Sequence, residues 1–145
     1  MINRLVVIGG SDAGISASLR AKELSPNTAV TLILADRYPN FSICGLPFYL
    51  SGEVSDWKTL AHRTTDDIER EGIQLVPDHR VTEIIPEQKR ILATDPEGRS
   101  KTFSYDKLVI GTGGASQVPH LPGIDLPGVF SLRWMTDSFA FQEYL

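Results

Sequence analysis

Arg4-Leu5-Val6-Val7-Ile8 is a short, continuous and largely β-branched apolar run, the pattern of a strand buried on both faces. Gly9-Gly10-Ser11-Asp12-Ala13-Gly14 interrupts it with a tight turn. Ile15 to Leu24 is rich in Ala, Leu, Arg and Lys and predicts a helix. Ala13, Ala17 and Ala21 recur at four-residue steps, which predicts one close-packing face. Ser25-Pro26-Asn27 breaks the helix, and Ala29 to Leu34 is a second buried strand, followed by Asp36. Strand, glycine turn, helix and strand make a βαβ unit with an expected right-handed crossover, so the fold class is α/β.

Further along, Thr64 or Thr65 can cap a helix over Asp66–Glu71, which Gly72 ends. Ile73 to Val76 and Val81 to Ile85 read as strands. Arg90–Thr94 and Lys101–Phe103 flank the turn sequence Asp95-Pro96-Glu97-Gly98 and predict a hairpin, hence a small β-meander. Lys107 to Ile110 predicts a strand leading into Gly111-Thr112-Gly113-Gly114. A segment with Pro119, Pro122 and Pro127 follows, and Val129 to Leu132 predicts a last short strand.

Composition changes this picture little. The chain has 145 residues, 41% hydrophobic, with a net charge of −4, a balance that fits one folded domain and excludes intrinsic disorder. No apolar run approaches the length of a membrane span. The N-terminus lacks the pattern of a secretory leader, so a cytoplasmic location is expected. The mildly acidic balance offers no basic footprint for nucleic acid. A single cysteine, Cys44, excludes an internal disulfide framework and any multi-cysteine metal site. His62, His79 and His120 are scattered without zinc-ligand spacing, so no metal site is expected.

The candidate chemistry lies in two places. Gly9, Ser11 and Gly14 occupy the positions of a Gly-x-Gly-x-x-Gly dinucleotide fingerprint, with Ser11 where the second glycine stands. The first glycine permits the turn off the strand, and the last permits close helix–strand packing. The helix N-terminus then offers N–H groups and a positive dipole end to a pyrophosphate. Asp36 ends the next strand about twenty residues on, where an acid accepts hydrogen bonds from a ribose. Alone, the motif is equally a glycine turn before a helix, and Asp36 a surface acid. Cys44 lies just beyond Asp36, with Pro47 placed as a helix-start proline. A thiol at a helix N-terminus is a candidate nucleophile, although a lone cysteine is often only a small buried hydrophobe.

Val6-Val7-Ile8-Gly9-Gly10-Ser11-Asp12-Ala13-Gly14, the strand ending at Asp36, and Phe41-Ser42-Ile43-Cys44-Gly45-Leu46-Pro47-Phe48-Tyr49 together resemble the flavoprotein pyridine nucleotide-disulfide oxidoreductases. The branch they resemble uses a single cysteine: coenzyme A-disulfide reductase, NADH oxidase and NADH peroxidase. His79-Arg80-Val81 is similar to the family's His-x-Val stretch. Tyr105-Asp106-Lys107-Leu108-Val109-Ile110-Gly111-Thr112-Gly113 is similar to its Tyr-Asp-x-Leu-[VI]-x-Ala-Thr-Gly element, with Gly111 in place of alanine.

The resemblance implies a Rossmann-like FAD-binding domain with a central parallel sheet. It implies FAD contacts at Gly9, Ser11, Ala13, Gly14, Asp36, Arg37, Val81, Thr112 and Gly113. NAD(P)H would be the electron donor and Cys44 the redox-active cysteine. The acceptor would be a small-molecule disulfide, through a mixed disulfide with coenzyme A, or an oxygen species, through a sulfenic acid. Two features depart from the pattern. Coenzyme A-disulfide reductases often carry Ser-Phe-x-Asn before the cysteine, where this chain has Phe41-Ser42-Ile43. No second glycine fingerprint and no later Gly-Asp motif follow Gly14. The expected organisation is therefore residues 1–145 as the first segment of an FAD domain. The NAD(P)H-binding and dimerisation domains, and the homodimer they form, would belong to a longer polypeptide. Arg20 and Lys22 on the first helix are candidates for an anionic coenzyme A diphosphate, or plain solvated charges. A nucleotide-binding module without turnover is the alternative from another functional class.

Overall fold

A computed structural model describes residues 3–145, and these divide into two compact units. The first takes in the described residues up to Asn40 together with Arg63–Gly113; the second is Phe41–His62 with Gly114–Leu145.

The first unit is built on a parallel sheet. Strands β1 (Arg4–Ile8), β2 (Ala29–Ile33), β3 (Ile73–Val76) and β7 (Lys107–Ile110) lie in the order β3-β2-β1-β7. Val6 pairs with Thr31 on one side and with Leu108 on the other, and Leu32 with Leu75. A three-stranded antiparallel meander of β4 (Arg80–Ile85), β5 (Arg90–Thr94) and β6 (Ser100–Ser104) forms the second sheet. Its β5–β6 turn is the expected Asp95–Gly98 hairpin, closed by Arg99 N–H to Asp95 Oδ1 at 2.8 Å.

Strand alternation sends β1 side chains to both faces of the parallel sheet. Leu5 and Val7 join Ile15 of helix α1 (Asp12–Leu24) and Ile68 of α3 (Thr65–Arg70) in one buried cluster, with Val30, Leu32 and Ile73. Val6 and Ile8 point the other way, into a cluster with Ile33, Val76, Ile91, Ala93 and Tyr105, where the meander packs. Because both faces are covered, the central strands read as continuous apolar runs rather than alternating ones.

Helix α1 begins inside the fingerprint, earlier than the predicted Ile15. Its buried residues are Gly14, Ile15 and Ser18, and Ala21 packs against the same cluster, so of the expected Ala13/Ala17/Ala21 face only Ala21 lies on the core side. Ala13 is exposed and Ala17 and Ala21 only half-buried, since the Gly14–Ser18 stripe is the one that lies on the sheet. Ser18 Oγ–H donates to Gly14 O at 2.8 Å, so this buried hydroxyl is satisfied within the helix. Lys22 Nζ donates to Pro26 O (2.6 Å) and Thr28 O (3.1 Å), and Arg20 pairs with Glu23 at 2.8 Å. Lys22 thus holds the turn after the helix. Of the two threonines expected to cap α3, Thr64 does so: its Oγ1 accepts from Asp67 N, and Asp67 Oδ2 accepts from Thr64 N at 2.9 Å.

In the second unit, Phe41 bridges Ala61, and Ser42 N–H donates to Leu60 O at 2.7 Å. A 3-10 turn over Ile43–Gly45 leads into α2 (Leu46–Leu50), with Pro47 in its first turn. Helix α4 (Met135–Tyr144) was not evident in the sequence. Its Phe139 receives Trp57 edge-on at 5.5 Å and Tyr49 at 6.3 Å, and Tyr49 Oη–H donates to Gln142 Oε1 at 2.8 Å. The strand expected over Val129–Leu132 does not form. Val129 N–H closes a turn on Leu126 O at 3.1 Å, and Phe130 packs edge-on against Phe141 and Tyr144 instead of entering a ladder. Among the described residues no helix is long and apolar enough to cross a membrane.

Candidate functional site

The carboxyl end of the parallel sheet is where ligands of open α/β folds bind. There three glycines interlock. Gly9 has φ +109°, and a Cβ on it would fall 2.1 Å from Gly111 O. A Cβ on Gly14 would fall 1.8 Å from Gly9 O, and one on Gly111 would fall 3.3 Å from Gly14 N. The turn after β1, the start of α1 and the end of β7 therefore meet backbone to backbone. Gly9 N–H donates to Ile33 O at 2.8 Å and Gly111 N–H to Ile8 O at 2.7 Å, which ties this junction to the sheet ladder.

The first turn of α1 sits directly on the junction. Ile15 N–H donates to Ser11 O at 3.0 Å, so the N–H groups of Asp12, Ala13 and Gly14 precede the first intrahelical bond. Ser11 is extended and makes no side-chain capping bond to them. Ser11, Asp12 and Ala13 are exposed. This is an open helix N-terminus carrying a positive dipole end, at the position a dinucleotide pyrophosphate occupies in this fold. The glycine cradle and the uncapped turn thus fit FAD as the implied cofactor.

The acid after β2 is also held in place. Arg37 N–H donates to Asp36 Oδ1 at 2.6 Å. Arg37 Nε pairs with Asp78 Oδ2 at 2.9 Å, and the hydrogen bond to Asp78, then its charge, raises the guanidinium pKa. Asp78 N–H reaches Asp36 O (3.3 Å) and His79 N–H reaches Leu34 O (2.9 Å). Asp78, in a left-handed conformation at φ +55°, therefore fastens the loop after β3 onto the loop bearing Asp36. Val81 is half-buried at the start of β4, against the core cluster under the sheet. Thr112 and Gly113 follow the glycine junction and are exposed.

Asn40 escaped the sequence reading. It is 5% exposed with φ +54°. Its N–H donates to Gly10 O at 2.8 Å and its Nδ2 to Asp12 Oδ1 at 2.8 Å. The one available signal was the Asn after Tyr38-Pro39, since asparagine tolerates the left-handed region. In the second unit Cys44 is exposed on the Ile43–Gly45 turn. A Cβ on its neighbour Gly45 would fall 2.4 Å from Leu60 Cδ2, a side chain that is itself buried. Among the described residues no cluster of three or more His, Cys, Asp or Glu could hold a metal ion.

Known proteins share this architecture. The CoA-dependent NAD(P)H sulfur oxidoreductase of Pyrococcus furiosus is 32% identical over 142 residues, covering 98% of this chain and 31% of that protein. The crystal structure of reduced Bacillus anthracis CoADR-RHD superposes with a TM-score of 0.91 at 27% identity, over 97% of this chain and 26% of that one. The water-forming NADH oxidase of Lactobacillus brevis, bound to NADH, gives a TM-score of 0.87 at 30% identity, over 97% of this chain and 31% of that one. The chain thus spans about a third of the length of the curated relatives it matches. The family model for pyridine nucleotide-disulphide oxidoreductases matches residues 3–144, and the chain belongs to that family.

Proposed function

We propose that residues 1–145 are the N-terminal FAD-binding part of an NAD(P)H-dependent flavoprotein disulfide reductase, with Cys44 as its redox-active cysteine. The interlocked Gly9–Gly14–Gly111 junction under an uncapped α1 carries the flavin part of this reading. Ser11, Ala13 and Gly14 would meet the pyrophosphate and Asp36 the adenosine ribose, with Arg37 and Val81 lining the adenosine end. Thr112 and Gly113 would line the cofactor beyond the junction. FAD, when bound, supplies two-electron transfer between a nicotinamide and sulfur. The nicotinamide-binding and dimerising parts would be supplied by the remainder of a longer polypeptide, and the enzyme would work in the cytoplasm.

Cys44 is exposed, as attack on an incoming disulfide requires. Its thiolate would displace one half of coenzyme A disulfide: the S–S bond of the substrate breaks, a Cys44–S–S–CoA bond forms, and one coenzyme A thiolate leaves. No net electrons move in that exchange. The names of the relatives favour coenzyme A-linked sulfur substrates, and the likeness to a water-forming NADH oxidase supports a second reading, in which Cys44 cycles through a sulfenic acid.

The test is intact mass of the FAD-loaded chain after coenzyme A disulfide, and separately after one equivalent of peroxide. The expected result is a coenzyme A adduct that disappears in Cys44→Ser. A peroxide-derived sulfenic acid at Cys44 without any coenzyme A adduct selects the oxidase or peroxidase reading. An inert Cys44 in both arms refutes a redox role for this thiol.

A further inference from the structure

Asp12 is the first residue of α1, where a carboxylate is drawn to the free N–H groups and positive dipole end of the first turn. A diphosphate would have to compete with it for those donors. In this chain the carboxylate is engaged elsewhere: Asn40 Nδ2 donates to Asp12 Oδ1 at 2.8 Å. Asn40 also donates its N–H to Gly10 O at 2.8 Å, so one residue grips the glycine turn at two points. It is 5% exposed and held at φ +54°, a conformation that asparagine and glycine adopt with least strain.

We propose that Asn40 is a positioning residue for the flavin nucleotide: by holding the Asp12 carboxylate and the Gly10 carbonyl, it keeps the N-terminus of α1 open to the FAD diphosphate. This rests on reading the glycine turn as the nucleotide site. Asn40→Gly removes the side-chain bond yet keeps the backbone conformation. Asn40→Asp, nearly isosteric, sets a second carboxylate against Asp12. The double variant Asn40→Asp with Asp12→Asn exchanges donor and acceptor and restores the bond.

FAD affinity is read by quenching of flavin fluorescence, with circular dichroism confirming that each variant is folded. The dissociation constant is expected to rise about tenfold in Asn40→Gly and about a hundredfold in Asn40→Asp, returning to within about threefold of wild type in the double variant. In the flavin-free chain, the Asn40 Nδ2 protons should exchange slowly by NMR, and Asp12→Ala should abolish that protection. Affinity indifferent to Asn40, or a double variant as weak as Asn40→Asp alone, overturns the proposal while leaving flavin binding intact. Unprotected Asn40 Nδ2 protons in the wild-type chain overturn it as well. No FAD uptake by a wild-type chain with the Asn40–Asp12 protection in place overturns the nucleotide reading, and this proposal with it.

Discussion

Gly14→Ala puts a methyl group where the backbone of another segment already stands. Its Cβ would lie 1.8 Å from Gly9 O and 3.3 Å from Val7 Cγ1. Reaching even a tight 3.0 Å contact requires α1 to move off β1 by about 1.2 Å at that point. The obstructing atom is backbone, so no rotamer change relieves it. The movement also opens the packing of Val7 against Ile15, both at most 2% exposed. Overpacking with side-chain relief available costs about 1–3 kcal/mol, so a backbone clash belongs at or above the top of that range. Alanine's better helix propensity returns only about 1 kcal/mol. The net loss expected is at least about 2 kcal/mol. Gly111→Ala meets Gly14 N at 3.3 Å and Ile8 O at 3.5 Å and should cost no more than about 1 kcal/mol. At Gly114 a Cβ meets nothing within 4 Å, so Gly114→Ala should stay within about 0.5 kcal/mol of wild type. Urea unfolding followed by far-ultraviolet circular dichroism measures all three. A Gly14→Ala chain as stable as wild type, or one no worse than Gly111→Ala, refutes the interlocked junction.

Two further predictions concern the frame around the site. Asp106 accepts the Arg4 N–H at 2.8 Å and the Asn3 N–H at 3.1 Å; chiefly through the Arg4 bond, its pKa falls below the ordinary carboxylate value. A depressed folded-state pKa stabilises above the unfolded value of about 3.9, and that contribution is lost as pH falls through the folded value. The gap in urea midpoint between wild type and Asp106→Asn should therefore be widest at neutral pH and shrink below about pH 4. Thr64→Ala removes one half of a reciprocal cap on the helix that delivers the fully buried Ile68. It should cost about 1 kcal/mol, a fall of a few degrees in thermal midpoint, with Thr64→Ser restoring most of it.

The parts of the fold that were legible in the sequence are those where local chemistry and tertiary packing agree. The β1–glycine turn–α1–β2 unit announces itself because two-sided burial makes each strand a continuous apolar run. A threonine cap at Thr64 or Thr65 and the Asp95–Gly98 turn are local patterns legible in sequence spacing, and the structure gives the cap to Thr64 with Asp67. Helix α4 was hidden because its start depends on Asp137 Oδ2 accepting the N–H groups of Arg133 and Trp134, both at 2.8 Å, behind a Trp that is not a capping residue. Met135 and Ser138 are its buried positions, too few to display a helical period. Val129–Leu132 had the β-branched and aromatic composition of a strand, but Phe130 packs on aromatic rings of α4. In the site, the glycines, Asp36 and the thiol were readable as residue types. The Gly111–Gly14 approach and the Asn40–Asp12 bond were not, because each joins segments far apart in sequence through a conformation no motif encodes.

Flavin binding at the glycine junction is tested most directly by titrating FAD into the wild-type chain and recording its visible spectrum after desalting. Flavin binding at the junction predicts saturable uptake of one FAD per chain and a flavin band that survives desalting. A chain with native circular dichroism that takes up no FAD would contradict it.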